Sequence, residues 1–554
     1  MAGIAPPRGG EVSMREYTGV TVSEGLVMGP VRRIDRGVSG LGRLIHDRSK
    51  ERALFEAAVV LAKDELRGLM EQADGDERDM LRFQLVMLDD QALLTEISNY
   101  IAAGAGSAAA TERAGQIFAR RIRDLPDEYL RQRGADVLDV CSRVVEILDG
   151  KPRQKLELEQ PAILAAESIL PSDIISIDRG MVLGIATSKG SAQSHAAIVA
   201  RTMGIPAVIE LGEEFLKHCD GHEAVLDALE GRLILDPDET LQQQVRRQRE
   251  EMAREKARLA GLRGTPCITR DGVPVSLLAN CSEPGGIEQA VAEGAEGVGL
   301  LRTEFFLMKG SIPDEEEQYY FYSSCLAAAQ GRLVTVRTFD VGADKLVEGM
   351  MLPEKNPALG LRGLRFCLER RDLFQDQLCA LLRAATKGPM DVMFPMVGGV
   401  MDFRMAMDEV EKAKANLRMR GLPFDEDLKF GCMIEVPSAA LCAAELAAAG
   451  AAFFSIGTND LIQYTHAVDR MDARLDMYYK ADSLAIQRMI AMTARAAREA
   501  GIPVCVCGRA AADPKIAPLY VKLGVSSLSM ASQSLMDIKE VLLNTDLSEV
   551  PSLA

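Results

Sequence analysis

The sequence predicts a multidomain α/β protein: an α-helical bundle inserted near a small α/β domain, followed by a C-terminal (β/α)8 TIM-type barrel. Three patterns predict it. Residues 50–149 carry apolar side chains at three- and four-residue spacing, the period of helices that bury one face. Residues 152–235 switch to short apolar strands, and from about residue 271 eight such strands alternate with amphipathic helices over about 280 residues. A chain of 554 residues is long enough for several separate cores.

Taken in order, Tyr17–Val31 offers short β segments broken by glycines. Helices are expected near 50–73, 77–101, 108–124 and 127–148, separated by Asp74-Gly75-Asp76, Gly104-Ala105-Gly106 and Leu125-Pro126-Asp127. The bundle holds no catalytic cluster, so it reads as a docking module for a partner or as a structural spacer. Strands follow at 162–166, 181–186, 207–210, 224–228 and 232–236, and the early β segment is compatible with joining them. Asp236-Pro237-Asp238-Glu239 places an N-cap at Asp236, proline at the first helical position and an acid at the third. The charged helix behind it reads as a connector between two halves that move relative to one another, because its basic residues alternate with acids. Barrel strands are expected at 274–280, 297–302, 334–338, 391–395, 429–434, 453–457, 503–507 and 526–530, with 340–390 long enough to add an excursion over the barrel mouth. The domains are therefore drawn as 15–150 (bundle about 50–149), 151–235, a linker helix 236–262, and the barrel 263–554.

A formal charge of −17 and a pI near 5.0 exclude a general nucleic-acid binder, which needs a basic field against phosphates. The 11 cysteines are scattered without metal-ligand spacing, which suits a reducing cytoplasm. No apolar run approaches the roughly 20 residues that span a bilayer, and the first residues lack a signal-peptide layout. A cytoplasmic protein with no membrane insertion is expected.

Two places carry chemistry. In Ser188–Arg201 small residues lead into His195 and then a helix, placing an imidazole nucleophile near unpaired backbone N–H groups that favour an anion. A surface histidine at an ordinary cap is the competing reading. The second place is the barrel mouth, where strand ends supply Arg302, Glu304, Arg337, Asp340, Glu435, Asn459, Asp460 and Cys507, with Lys345, Arg362, Arg470 and Arg509 on neighbouring loops. Arginine forks match phosphate and carboxylate oxygens, and Glu435 with Asp460 offers oxygen ligands to Mg²⁺. The implied substrate is a small phosphorylated carboxylic acid. Cys507 is the one soft proton carrier in the set, with a buried structural thiol as the alternative.

Gln193-Ser194-His195, Gly299–Phe305, Arg337–Lys345, Phe394-Pro395-Met396, Met433–Pro437 and Phe454–Thr465 with Ala467–Arg470 resemble Enzyme I, the phosphoenolpyruvate–protein phosphotransferase family of the bacterial sugar phosphotransferase system. The resemblance runs from about residue 17 to 540. It implies that His195 takes the phosphoryl group of phosphoenolpyruvate and passes it to a histidine of the phosphocarrier HPr, releasing pyruvate. It further implies substrate contacts by Arg302, Arg337, Asn459, Arg470, Lys345 and Arg362, Mg²⁺ on Glu435 and Asp460, and protonation by Cys507. HPr docking on the bundle, a swivelling 151–235 domain and a homodimer through the barrel follow from it as well. The chain departs from the family pattern at Lys189-Gly190, Gln193, Ala343 and most of all at Arg509, where an acid is usual. That exchange is expected to lower the Cys507 pKa or to reshape its loop. Two alternatives stay open: a regulatory paralogue that binds without efficient turnover, and a non-catalytic scaffold.

Overall fold

The computed structural model describes residues 14–34, 48–70, 81, 84–123, 128–150, 158–169, 179–190, 197, 200, 204–304, 306, 313–341, 356–470 and 472–551. They fall into two compact units, Met1–Arg254 and Glu255–Ala554.

The first unit is organised on an eight-stranded sheet. Its strands are β1 (Arg15–Thr18), β2 (Val20–Ser23), β3 (Leu26–Arg33), β4 (Ala162–Ala166), β5 (Val182–Thr187), β6 (Ala207–Ile209), β7 (Glu223–Asp227) and β8 (Arg232–Leu235). They lie in the order β1-β8-β7-β3-β4-β5-β6-β2. β3, β4, β5 and β6 are mutually parallel, and β3 passes antiparallel to β7. Grouping 15–33 with the bundle therefore cuts the sheet: β1–β3 belong with β4–β8, and the helical segment is an insertion between β3 and β4. Close packing fixes this register. A Cβ on Gly184 of β5 would lie 2.6 Å from Leu226 Cδ2.

Among the described residues the insertion holds α1 (Arg48–Met70), helical residues at 84–87, α2 (Gln91–Ala102), α3 (Ser107–Arg123) and α4 (Glu128–Leu148). α1 buries Phe55, Ala58, Val59, Ala62 and Leu66, the three- and four-residue spacing read from sequence. The single helix expected over 77–101 is not continuous. The chain turns at Leu88–Asp89, and Asp90 caps a new helix by accepting from Ala92 and Leu93 N–H at 2.9 and 2.8 Å. Glu51 on α1 serves α3 in the same way, accepting from both Ser107 N and Oγ.

The charged helix α5 (Glu239–Ala260) begins two residues later than the sequence suggests. Asp238 is its cap, accepting from Leu241 N at 2.7 Å. Asp236 is unsuited to that role because it sits in the left-handed region at φ 49° and pairs with His222 Nδ1 at 2.9 Å.

In the second unit β9 (Ser276–Cys281), β10 (Val298–Leu301), β11 (Val334–Arg337), β12 (Met390–Phe394), β13 (Lys429–Ile434), β14 (Phe454–Ile456), β15 (Val504–Val506) and β16 (Ser527–Met530) close into a parallel barrel, β16 pairing back to β9. All eight expected strands are present within two residues of the expected positions. Around them lies one continuous apolar core in which Phe374, Phe394, Phe403 and Phe430 interlock, Phe394 stacking on Phe430 at 5.6 Å. The long 340–390 connection holds a short turn at Pro357–Leu359 and helices Leu364–Glu369 and Arg371–Ala384. Among the described residues no helix is long and apolar enough to cross a membrane.

Candidate active site at the barrel mouth

Strand register brings the expected residues to one level. Leu301 pairs with Val336, so Arg302 and Arg337 follow side by side on β10 and β11. Ile434 pairs with Ile456, and Ile456 with Val506, so Glu435, Gly457 and Cys507 end three successive strands. The helix α6 (Thr458–His466) starts directly after β14 and carries Asn459 and Asp460 in its first turn. A parallel barrel collects such strand ends at a single mouth.

The charges there are buried and interlocked. Arg337 donates from Nη2 to Glu304 Oε1 at 2.5 Å and pairs through Nη1 with Asp340 Oδ2 at 3.0 Å. Burial alone lowers the Arg337 pKa, but Glu304, Asp340 and Glu435 more than offset that and raise it. Its Nε has no acceptor among the described residues. Arg362 bridges the two carboxylates Asp340 and Asp460, at 3.0 and 2.8 Å, and Arg470 adds a contact to Asp460 Oδ2 at 3.2 Å. Arg302 has no ion-pair partner among the described residues. Its side chain is exposed overall, yet desolvation within the mouth, then the neighbouring Arg337, lowers its pKa. A cation held among cations is poised for an anion. Asn459 is fixed from two sides, its Oδ1 accepting from Arg509 N and its carbonyl from the Tyr479 hydroxyl, both at 3.0 Å.

Cys507 is 4% exposed, with Ser455 Oγ 3.2 Å from its sulfur. Burial pushes the thiol up; the Ser455 hydrogen bond, then Arg337, oppose this, and Glu435 adds to it. The cations among the leading influences on the sulfur are Arg337 and Arg302. Arg509 instead opens the short turn Arg509–Ala512, and only its backbone engages Asn459. Alkylation follows the thiolate, so site-resolved iodoacetamide labelling of Cys507 is expected to keep rising above the midpoint of a free thiol, about 8.5. Ser455→Ala should move that profile to still higher pH, because the hydroxyl stabilises the charged form. A profile with its midpoint at or below 8.5 would contradict the assignment.

Two carboxylates suit a hard divalent cation. Burial first, then repulsion from Asp340 and Asp460, pushes the Glu435 carboxyl up to about 8. An excess of buried negative charge of this kind is relieved by a cation. Glu435 Oε1 is oriented by the Met396 N–H at 2.6 Å. Among the described residues no three His, Cys, Asp or Glu converge as a complete cage. This donor set suits a hard divalent cation that takes one or two protein oxygens and completes its shell with water and substrate phosphate.

His195 and Lys345 lie outside the described residues. The approach to His195 is described as far as Gly190: Ser188 and Lys189 N–H donate to the Ala166 and Glu167 carbonyls, and the Lys189 ammonium bridges Glu167 and Glu213 at 2.7 Å each. Ala197 and Ala200 beyond it are helical and buried. Sequence reasoning did not assign Asp340, Glu304 or Tyr464 a role, although all three stood in the quoted motifs. An acid three residues after a strand-end arginine, Arg337 to Asp340, is the nearest local trace of the first, and by itself it does not distinguish a buried pair from a solvated one.

Family models match the chain throughout: a PEP-utilising enzyme N-terminal domain over 18–133, a mobile domain over 158–231 and a PEP-binding domain over 256–547. A phosphoenolpyruvate-protein phosphotransferase of Bacillus sp. (strain S) is 36% identical over 95% of this chain and 92% of that one. The protein of the same name from Bacillus subtilis (strain 168) is 34% identical over 94% and 93%. A solution structure of an Enzyme I protein (nEIt) is 27% identical, covering 43% of this chain and 99% of that one, with a TM-score of 0.37. With three successive family domains and relatives of this identity over nearly its full length, the chain belongs to the phosphoenolpyruvate-protein phosphotransferase family of PEP-utilising enzymes.

Proposed function

We propose that the protein transfers the phosphoryl group of phosphoenolpyruvate to its own His195 and then to a histidine of a phosphocarrier protein of the HPr type, releasing pyruvate as the first step of sugar uptake. The observation that carries this reading is the barrel mouth, where Arg302, Arg337 and Arg470 meet Glu435, Asp460 and Cys507 in a chain of this family. In this reading Arg302, Arg337, Arg470 and Asn459 hold the phosphate and carboxylate of the substrate, and Lys345 and Arg362 complete the pocket. Glu435 and Asp460 hold Mg²⁺, which when bound neutralises phosphoryl charge. Fixed cations draw charge onto the bridging oxygen, and pre-positioning of this kind lowers the barrier to phosphoryl transfer.

The imidazole of His195 forms a bond to phosphorus as the bond from phosphorus to the enol oxygen breaks. The enolate electron pair then takes the Cys507 proton at C3, giving pyruvate and a thiolate that water reprotonates. Burial favours the protonated thiol.

Incubation with ³²P-phosphoenolpyruvate and Mg²⁺ is the direct test. The wild type is expected to take acid-labile, base-stable label that His195→Ala does not take, and to pass it to added HPr. Label on a protein that never reaches HPr would reject the acceptor. An unlabelled wild type would reject the reaction.

A further inference from the structure

Asp460 and Tyr464 lie one turn apart on α6 and so face the same way. Tyr464, half-buried, accepts from Arg362 Nη1 at 3.1 Å, donates to the Ala358 carbonyl, and has Met396 Sδ at 3.9 Å. One hydroxyl thus joins α6, the loop after β11 and the loop after β12.

A guanidinium has five N–H donors. In Arg362 Nε donates to Asp340 Oδ1 at 3.0 Å; Nη2 donates to Asp340 Oδ2 and Asp460 Oδ2 at 3.0 and 3.2 Å. Nη1 donates to Asp460 Oδ1 at 2.8 Å and to Tyr464. Every donor is used, and Tyr464 is the only acceptor in this set that is uncharged. Its hydroxyl also anchors Ala358 in the same short segment that carries Arg362. Beyond Arg362 the fit stays tight, since Gly363 adopts φ 60° and a Cβ there would meet Met396 Cγ at 2.8 Å. Removing the hydroxyl leaves one buried Arg362 donor and one carbonyl unpaired at once, at positions where α6 alone held them.

We propose that Tyr464 is a positioning residue of the barrel mouth, which fixes the segment Asn356–Arg362 against α6 and thereby holds Arg362 in register with Asp340 and Asp460. The claim rests on the function proposed above, and it assigns Tyr464 no contact with the reacting atoms.

The test uses full-length Tyr464→Phe, which keeps the ring and removes the hydroxyl. The KM for phosphoenolpyruvate in self-phosphorylation should rise about tenfold, the scale of one hydrogen bond to a charged group. Delivery of phosphate from already labelled enzyme to HPr, which does not use the mouth, should not change. In an Arg362→Gln background the same substitution should add less than about twofold, because residues acting through one another are not additive. Hydrogen–deuterium exchange gives a readout independent of substrate: amides of 356–363 should exchange faster in Tyr464→Phe while strands β9–β16 stay protected. A full tenfold effect in the Arg362→Gln background would overturn the proposal, as would unchanged exchange in 356–363. A wild type that takes no label would instead sink the functional reading, leaving the exchange experiment to decide the positioning claim.

Discussion

Asp340→Asn is expected to destabilise the barrel unit by about 3–5 kcal/mol and to lower kcat/KM for phosphoenolpyruvate by about a hundredfold or more. Asp340 is 2% exposed and its carboxylate is the common partner of Arg337 and Arg362. Asparagine keeps the shape but offers one acceptor oxygen and no charge. Two buried guanidinium groups would then share what remains, although at present nearby carboxylates outweigh the cost of desolvating both. Removing one partner from a buried ionic network leaves the others uncompensated, which costs more than the network contributed net. The activity loss has a separate origin, since Arg337 would lose one of the two carboxylates that set its direction. Denaturant unfolding of the full chain and initial rates of self-phosphorylation measure the two effects. A variant within about 1 kcal/mol of wild type, the scale of exposed ion pairs, would mean that Asp340 is not the hub described.

The importance of Asp340 also shows what a sequence conceals. Strand positions were legible because burial on both faces writes continuous apolar runs, and closure into a barrel then follows from eight repeats. The level of each strand end was legible for the same reason, which is why Arg302, Arg337, Glu435, Asp460 and Cys507 meet as expected. Pairing was not legible. Arg337 and Asp340 at three-residue spacing look like a solvated ion pair until the fold buries them, and nothing local says that Asp340 will also find Arg362, 22 residues on. The α2 break was missed because the apolar period runs through it, and only the Asp90 side chain decides that the backbone turns there. The reading in which the early β segment joins the later strands is the one the sheet adopts, although sheet pairing across a long helical insertion leaves no periodic trace.

Gly508→Ala should be the most damaging single methyl group at the mouth. Gly508 follows Cys507, and a Cβ there would fall 1.8 Å from Thr458 Oγ1 and 2.8 Å from Thr458 N. Rotating the threonine relieves only the first of these, since the second contact is with backbone at the start of α6. The loop after β15 must therefore move away from α6. Overpacking of this kind costs about 1–3 kcal/mol, which the barrel can absorb while remaining folded. The geometry cannot absorb it. Cys507 N–H bonds to the Ile456 carbonyl at 3.1 Å, and Arg509 N–H holds Asn459 Oδ1, so displacement strains both the proton donor and a proposed substrate contact. Proton transfer to carbon should suffer most, because a displacement of about 1 Å at a reacting group is enough for a hundredfold loss. Enzyme-catalysed ketonisation in Gly508→Ala, read as stereospecific uptake of solvent deuterium at C3, should accordingly fall at least that far while self-labelling at His195 falls less, the released enolpyruvate then ketonising in solution without stereospecificity. Equal losses in the two steps would place the damage in substrate binding through Asn459 rather than in the thiol. Wild-type rates for both would mean that the close approach of Gly508 to Thr458 is not maintained in the working enzyme.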